Sequence, residues 1–240
     1  MQAQDEGEKE DIEVEMKRRR EMEKGTEILR YAIEELSLIV KLKPGDNHAA
    51  SAAAPHIPTK PFLYVCNLVI QVLDKLGPTM AVLRQDIHQN VQKLEIVHES
   101  DPLLNSNLVE ILKKEASEGN ARKATSCSRA FLWLTRSMDF TLALLQELTK
   151  DPEQRMEQAV EESYNNTLKP WHGWISSAAF KVALKLVPDR KTFTYTLMGK
   201  DGNNESLKEE IQTLISLFLP LLEEIHFILR VYGLDRLKST

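Results

Sequence analysis

Residues 83–97 read LRQDIHQNVQKLEIV. Ile87, Val91 and Leu94 recur at helical spacing and form one apolar stripe. Asp86, Asn90 and Lys93 stand at i, i+4 and i+7, within about 60° of one another around a helix axis. The polar trio therefore adjoins the core-facing stripe rather than opposing it. Its chemistry is an acceptor, an amide that both donates and accepts, and a cationic donor. Such a row suits a neutral polyhydroxylated group. Taken alone, the spacing is better explained by an ordinary amphipathic helix with a solvated Asp–Lys face.

The same period runs through most of the chain. It predicts helices over 25–42, 61–76, 79–99, 104–118, 121–149, 152–168, 170–187, 190–198 and 205–232. Breakers punctuate them at Gly77-Pro78, Asp101-Pro102, Asp151-Pro152, Pro188-Asp189 and Asp201 to Asn204. No β-branched run alternates cleanly enough for a strand, and no fixed-period repeat suggests a solenoid. Residues 1–24 are almost wholly charged or polar and read as a disordered leader, since they bury too little apolar area to offset ordering entropy. Residues 43–60 collect Gly45, Asp46, Asn47, a small-residue run and three prolines, and read as a loop. The expectation is one all-α domain spanning 25–240.

Composition narrows the function. Across 240 residues the formal net charge is −5, which argues against a nucleic-acid binder that works through a broad basic field. Cys66 and Cys127 stand far apart in apolar contexts and read as reduced thiols of a cytosolic protein. The longest apolar run, Ile211 to Leu222, is interrupted by Gln212, Ser216 and Pro220, too short to span a bilayer. No dinucleotide, P-loop, zincin, CxxC or nucleophile-elbow motif occurs. The expectation is therefore a monomer that uses no cofactor and no metal, and is not an enzyme.

Two further stretches carry unusual groups. In CSRAFLWLTRSMDF, 127–140, Arg129 and Trp133 are i, i+4 neighbours. Arg136 follows one turn later, three residues from Asp139 and spaced for an ion pair. A tryptophan there either fills the core or stacks on the apolar face of a sugar. In KPWHGWISSAAFKVALKLVP, 169–188, a helix from 170 would put Trp171 and Trp174 on one side and His172 on another. Ile175, Ala178, Ala179, Val182 and Leu186 read as core, and Gly173 as a point of close approach by a helix or ligand. His172 reads either as a buried histidine bonded to a backbone carbonyl or as a ligand contact.

Taken in order, Asp86-x-x-x-Asn90-x-x-Lys93, the tryptophan of Phe131-Leu132-Trp133-Leu134, and His172-Gly173-Trp174 resemble the glycolipid transfer protein superfamily, in its plant-like branch. The resemblance runs from about residue 25 to the C-terminus. It implies a two-layer sandwich of about eight helices that encloses a lipid-chain pocket with a sugar site at its mouth. By it, Asp86, Asn90 and Lys93 bond the sugar and Trp133 stacks beneath it. His172 would take the ceramide amide with help from Asp86, and Trp174 would touch the bilayer. Trp171 receives no role. Candidate chain-lining residues are Leu73, Val91, Phe131, Phe140, Phe180 and Leu184.

Phosphate-binding members of the superfamily carry a cation in place of Asn90 and an arginine in place of Trp133. This chain therefore matches a neutral glycosylceramide better. Arg129 matches an arginine of the phosphate pattern, which keeps ceramide phosphate as the alternative ligand. The C-terminus, Arg236 to Thr240, lacks the tyrosine found near the end of the animal glycolipid carrier. The implied role is movement of glycosphingolipid between membranes through transient surface contact. A sphingolipid sensor, with a protein partner at the leader or the 43–60 loop, is the other reading. An enzyme using Asp86 and His172 as an acid–base pair ranks below both.

Overall fold

The computed structural model describes residues 28–41, 55–151, 153–198 and 203–239. Among them lie nine α-helices and no strand. They are α1 (Ile28–Lys41), α2 (Thr59–Leu76), α3 (Ala81–Ser100), α4 (Leu108–Ser117) and α5 (Cys127–Lys150), followed by α6 (Met156–Asn166), α7 (Trp174–Leu184), α8 (Arg190–Met198) and α9 (Asn204–Val231). The leader over 1–24 and residues 43–54 of the expected loop fall outside the described residues. Thr59 and Lys60, expected at the end of that loop, already belong to α2.

The helices form two layers. In one, α1, α2 and α3 lie side by side; in the other, α5 packs on α9 with α4 and α6 at its flanks. The layers meet where α3 lies on α5 and α1 lies on α9. Periodicity explains the long partners. Leu207, Ile211, Leu214, Phe218, Leu221, Ile225 and Ile228 give α9 one buried face at steps of three and four. Helix α5 is buried on several sides, as a central helix must be. Its core includes Phe131, whose ring meets Phe62 edge-on at 5.0 Å. Cys66 and Cys127 are buried and free.

Local chemistry moves some of the expected boundaries. Helix α5 starts at Cys127 rather than 121, because the Ser126 hydroxyl accepts the Arg129 N–H at 3.0 Å. Glu115 adds a carboxylate that accepts the N–H groups of Cys127 and Ser128, at 2.9 and 2.7 Å, and neutralises the helix's positive end. Helix α4 likewise waits for its cap, Asn107, whose Oδ1 accepts from Val109 and Ile57 at 3.0 Å each. At the far end of α9, Gly233 has φ +62°, and Leu234 N–H reaches back to Leu229 C=O at 2.9 Å. This left-handed cap turns the chain, so that residues 235–239 run back over α5.

The largest departure lies at 170–174. Helix α7 begins at Trp174, so Trp171 and His172 are not helical, and Trp171 and Trp174 do not share a helix side. The backbone there bonds to the C-terminal segment instead. Ser239 N–H donates to Trp171 C=O at 2.9 Å, and Gly173 N–H donates to the Ser239 hydroxyl at 2.6 Å. The close approach expected at Gly173 is made here by chain from the C-terminus. None of the residues of α7 is fully buried, and the side that meets the core carries Phe180 and Leu184, not the expected residues. Trp174 is 81% exposed, Ile175 59% and Val182 63%, and Ala178, Ala179 and Leu186 are exposed as well. Those positions form an apolar helix lying on the surface, where an uncovered patch marks an interaction site.

Candidate functional site

The site is organised by the pairing of α3 with α5. Cys127 Sγ lies 3.7 Å from the Lys93 carbonyl, so Lys93's turn rests on the first turn of α5. Further along α5, Ser137 and Phe140 line the same cavity as Ile87 and Leu83 of α3. The two helices therefore run antiparallel, and Asp86 and Asn90 come level with the turn of α5 that carries Trp133. Within the row, Asn90 is buried and its Nδ2 donates to the Asp86 backbone carbonyl at 2.9 Å.

What the row leaves unpaired is more telling. Among the described residues, the Asp86 carboxylate, the Lys93 ammonium and Asn90 Oδ1 make no hydrogen bond or ion pair. Asp86 is exposed as a residue, yet protein crowds its carboxyl. Desolvation pushes its pKa above the ordinary carboxylate value, and the nearby Lys93 charge pulls it partly back. Polar groups held half-dry without protein partners suit a ligand that supplies them.

Trp133, level with this row on α5, belongs to a cluster of rings. Trp133 packs against His172 with centroids 5.7 Å apart, and His172 against Tyr164 at 5.5 Å. The Tyr164 hydroxyl lies 3.3 Å from His172 Nδ1, which fixes that edge of the imidazole. No backbone carbonyl holds this histidine, and its Nε2 has no hydrogen-bond partner among the described residues. Burial, followed by the Arg136 charge, holds the His172 pKa below its ordinary value, so the ring is neutral at neutral pH.

Arg136 organises this cluster, a role its spacing in sequence does not reveal. It is 2% exposed, and its guanidinium carbon lies 4.8 Å from the Trp133 ring and 4.2 Å from the Trp171 ring. Its Nη2 donates to the Asp235 carbonyl at 2.9 Å, while Nη1 has no hydrogen-bond partner among the described residues. Burial pushes its pKa down to about 10, against the pull of Asp139. The expected Arg136–Asp139 pair is not formed; Asp139 lies 2.8 Å from His226 Nε2 instead. Trp171 thus acquires a place as one of two indoles on a buried guanidinium.

Arg129 donates to the Lys238 carbonyl at 2.8 Å, and its charge is near enough to oppose that of Arg136. Trp174 lies outside this arrangement, at the exposed start of α7. The tie of 235–239 to α5 escapes local sequence reading, because its bonds join residues about a hundred positions apart.

Behind the site, an apolar cavity of about 130 Å³ lies among α1, α2, α3, α5, α8 and α9. Of the expected lining residues, Leu73 and Phe140 line it. Val91 and Phe131 are solid core, Phe180 stacks on Tyr164, and Leu184 packs at the core's edge, so none of these four reaches the cavity. Among the described residues, no helix is long and apolar enough to cross a membrane, and no group of His, Cys, Asp and Glu has the geometry to hold a metal ion.

Comparison with known proteins agrees with this architecture. The family model for glycolipid transfer protein matches residues 57–199. Glycolipid transfer protein 3 of Arabidopsis thaliana is 57% identical over 232 residues, covering 93% of this chain and 100% of the relative. A solved structure described as showing how FAPP2 selects simple glycosphingolipids superposes with a TM-score of 0.70 at 29% identity, over 78% of this chain and 92% of that one. The human ceramide-1-phosphate transfer protein, solved with 12:0 ceramide-1-phosphate, superposes with a TM-score of 0.74 over 88% and 99% of the two chains. At 15% identity this last likeness speaks for the fold alone.

Proposed function

Since the chain belongs to the glycolipid transfer protein family, we propose that it carries sphingolipids between membranes without chemical change, with neutral glycosylceramides as its preferred cargo. The observation that carries this reading is the unpaired row of Asp86, Asn90 and Lys93, level with Trp133 on the facing helix. A sugar offers hydroxyls that both donate and accept, which suits a carboxylate, an amide oxygen and an ammonium together. Its apolar face suits the Trp133 ring. His172, neutral and with Nε2 free, stands beside that ring to meet the ceramide amide.

The energetics explain why a carrier is needed. Drawing a ceramide with some thirty methylenes into water costs roughly 25 kcal/mol at about 0.8 kcal/mol per methylene. A protein that offers apolar walls at the bilayer surface removes most of that barrier. The exposed apolar face of α7, led by Trp174, provides a surface for that encounter, since tryptophan favours the membrane interface.

A phosphate headgroup fits less well. Arg129 already serves the Lys238 carbonyl, and the amide end of α5 is neutralised by Glu115. Arg129 keeps its charge, but the positions beside it that would complete a cationic cradle hold Asn90 and Trp133, which carry none. The test is competitive uptake from vesicles containing equal glucosylceramide and ceramide phosphate, read by native mass spectrometry of the soluble complex. Retained glucosylceramide in excess supports the reading. Preferential retention of ceramide phosphate overturns the choice of headgroup, and retention of neither overturns the carrier role.

A further inference from the structure

Helix α8 separates two spaces. Phe193 and Leu197 are its only buried residues. Both line the inner apolar cavity of about 130 Å³, and both also line an open cleft of about 1060 Å³ on the outer side of α8. That cleft lies among α8, the C-terminal end of α5 and the N-terminal ends of α6 and α9. Its floor is apolar, with Leu148, Met156, Leu207 and Ile211, while Lys191 and Lys208 stand at its rim.

The inner cavity falls well short of the roughly 300–1,000 Å³ that drug-sized ligands occupy, and a two-chain lipid is larger still. Some wall must part to admit the chains. The other helices that line it are longer and better anchored: α1, α2, α5 and α9 each bury six or more residues and α3 buries four, against two in α8. The partition yields most readily at α8, where a single layer of two buried side chains separates the spaces.

Resting on the carrier reading above, we infer that the outer cleft is a binding site for the distal end of a long acyl chain, which passes from the inner cavity between Phe193 and Leu197. A short chain ends inside. A long chain displaces these two side chains and continues over the apolar floor of the cleft, with its end shielded by α8. Helix α8 then sets the protein's chain-length preference.

The direct test uses the full chain and two glucosylceramides, with C8 and C24 acyl chains, each carrying a photoreactive group at the chain end. After irradiation, peptide mapping should place the C24 label on the cleft floor near Met156 and Ile211, and the C8 label on the inner wall. Thr194→Trp fills the cleft from a half-buried position outside the core. It should lower C24 uptake at least fivefold and leave C8 uptake unchanged. Phe193→Ala, which widens the passage, should raise the C24-to-C8 ratio at least twofold. A C24 label confined to the inner wall, or a Thr194→Trp variant with an unaltered chain-length profile, overturns the inference and leaves the carrier reading intact. Wild-type protein that takes up neither lipid brings down both.

Discussion

Replacing Arg136 with lysine keeps the charge and removes the shape. The guanidinium lies over two indoles at 4.8 and 4.2 Å, within the ~6 Å reach of a cation–π contact, and is almost wholly buried. Desolvated contacts of this kind are worth up to about 2 kcal/mol each. An ammonium is a compact point charge that cannot lie flat over two rings, and it gives up its water less readily than guanidinium. Allowing lysine one ring contact and the bond to Asp235, we expect a net loss of about 2 kcal/mol. At ~2–4 °C per kcal/mol for a chain of this length, Arg136→Lys should melt about 4–8 °C below wild type. With its support gone, Trp133 holds its tilt less firmly, and glucosylceramide affinity should fall about three- to tenfold, or ~0.7–1.4 kcal/mol. Thermal denaturation by circular dichroism and equilibrium lipid uptake read the two effects. A double-mutant cycle with Trp171→Leu should give a coupling of about 1 kcal/mol. An Arg136→Lys variant that melts within a degree of wild type, or strict additivity with Trp171→Leu, would refute the stack as an organising element.

Two other perturbations separate the parts of the site. Trp174→Ala should cut vesicle co-sedimentation severalfold while leaving equilibrium lipid uptake nearly unchanged; His172→Leu should do the reverse, since the amide region loses its polar partner. Equal losses in both assays for both variants would make residues 171–174 a purely structural element. For Asp86 the folded-state pKa is raised above the ordinary 3.8, so its charged form destabilises the fold at neutral pH, and that cost disappears as pH falls toward the unfolded value. Asp86→Asn should therefore be at least as stable as wild type at pH 7, with the difference narrowing on acidification, while glucosylceramide uptake drops sharply. Lower stability of Asp86→Asn at pH 7 would show that the carboxylate serves the fold rather than a ligand.

Much of this molecule is legible locally, and the exceptions share a cause. The stripe of Ile87, Val91 and Leu94 is buried as its spacing predicts, because a 3.6-residue period leaves a helix one way to face a core. Asp86 and Asn90 follow from the same geometry. The start of α7 does not, because Gly173 and Trp171 give their backbone groups to Ser239, which no nearby residue announces. Arg136 illustrates the same limit: an aspartate three residues away suggests an ion pair, while two indoles and a distant carbonyl take the guanidinium. The apolar face of α7 shows a different limit. Periodicity marks Ile175 and Val182 as apolar, but which side of a helix is covered depends on its neighbours, and here they cover Phe180 and Leu184 and leave Ile175 and Val182 exposed.

Intact movement of a neutral glycosphingolipid, with Asp86 at the point of capture, is read by transfer of fluorescent glucosylceramide from donor to acceptor vesicles in the presence of a chelator and without nucleotide. Wild-type protein should accelerate transfer many-fold over the spontaneous rate, with the lipid recovered unchanged, and a folded Asp86→Val variant should lose nearly all of that acceleration. No acceleration by wild type would contradict the carrier role, and full transfer by Asp86→Val would contradict the site.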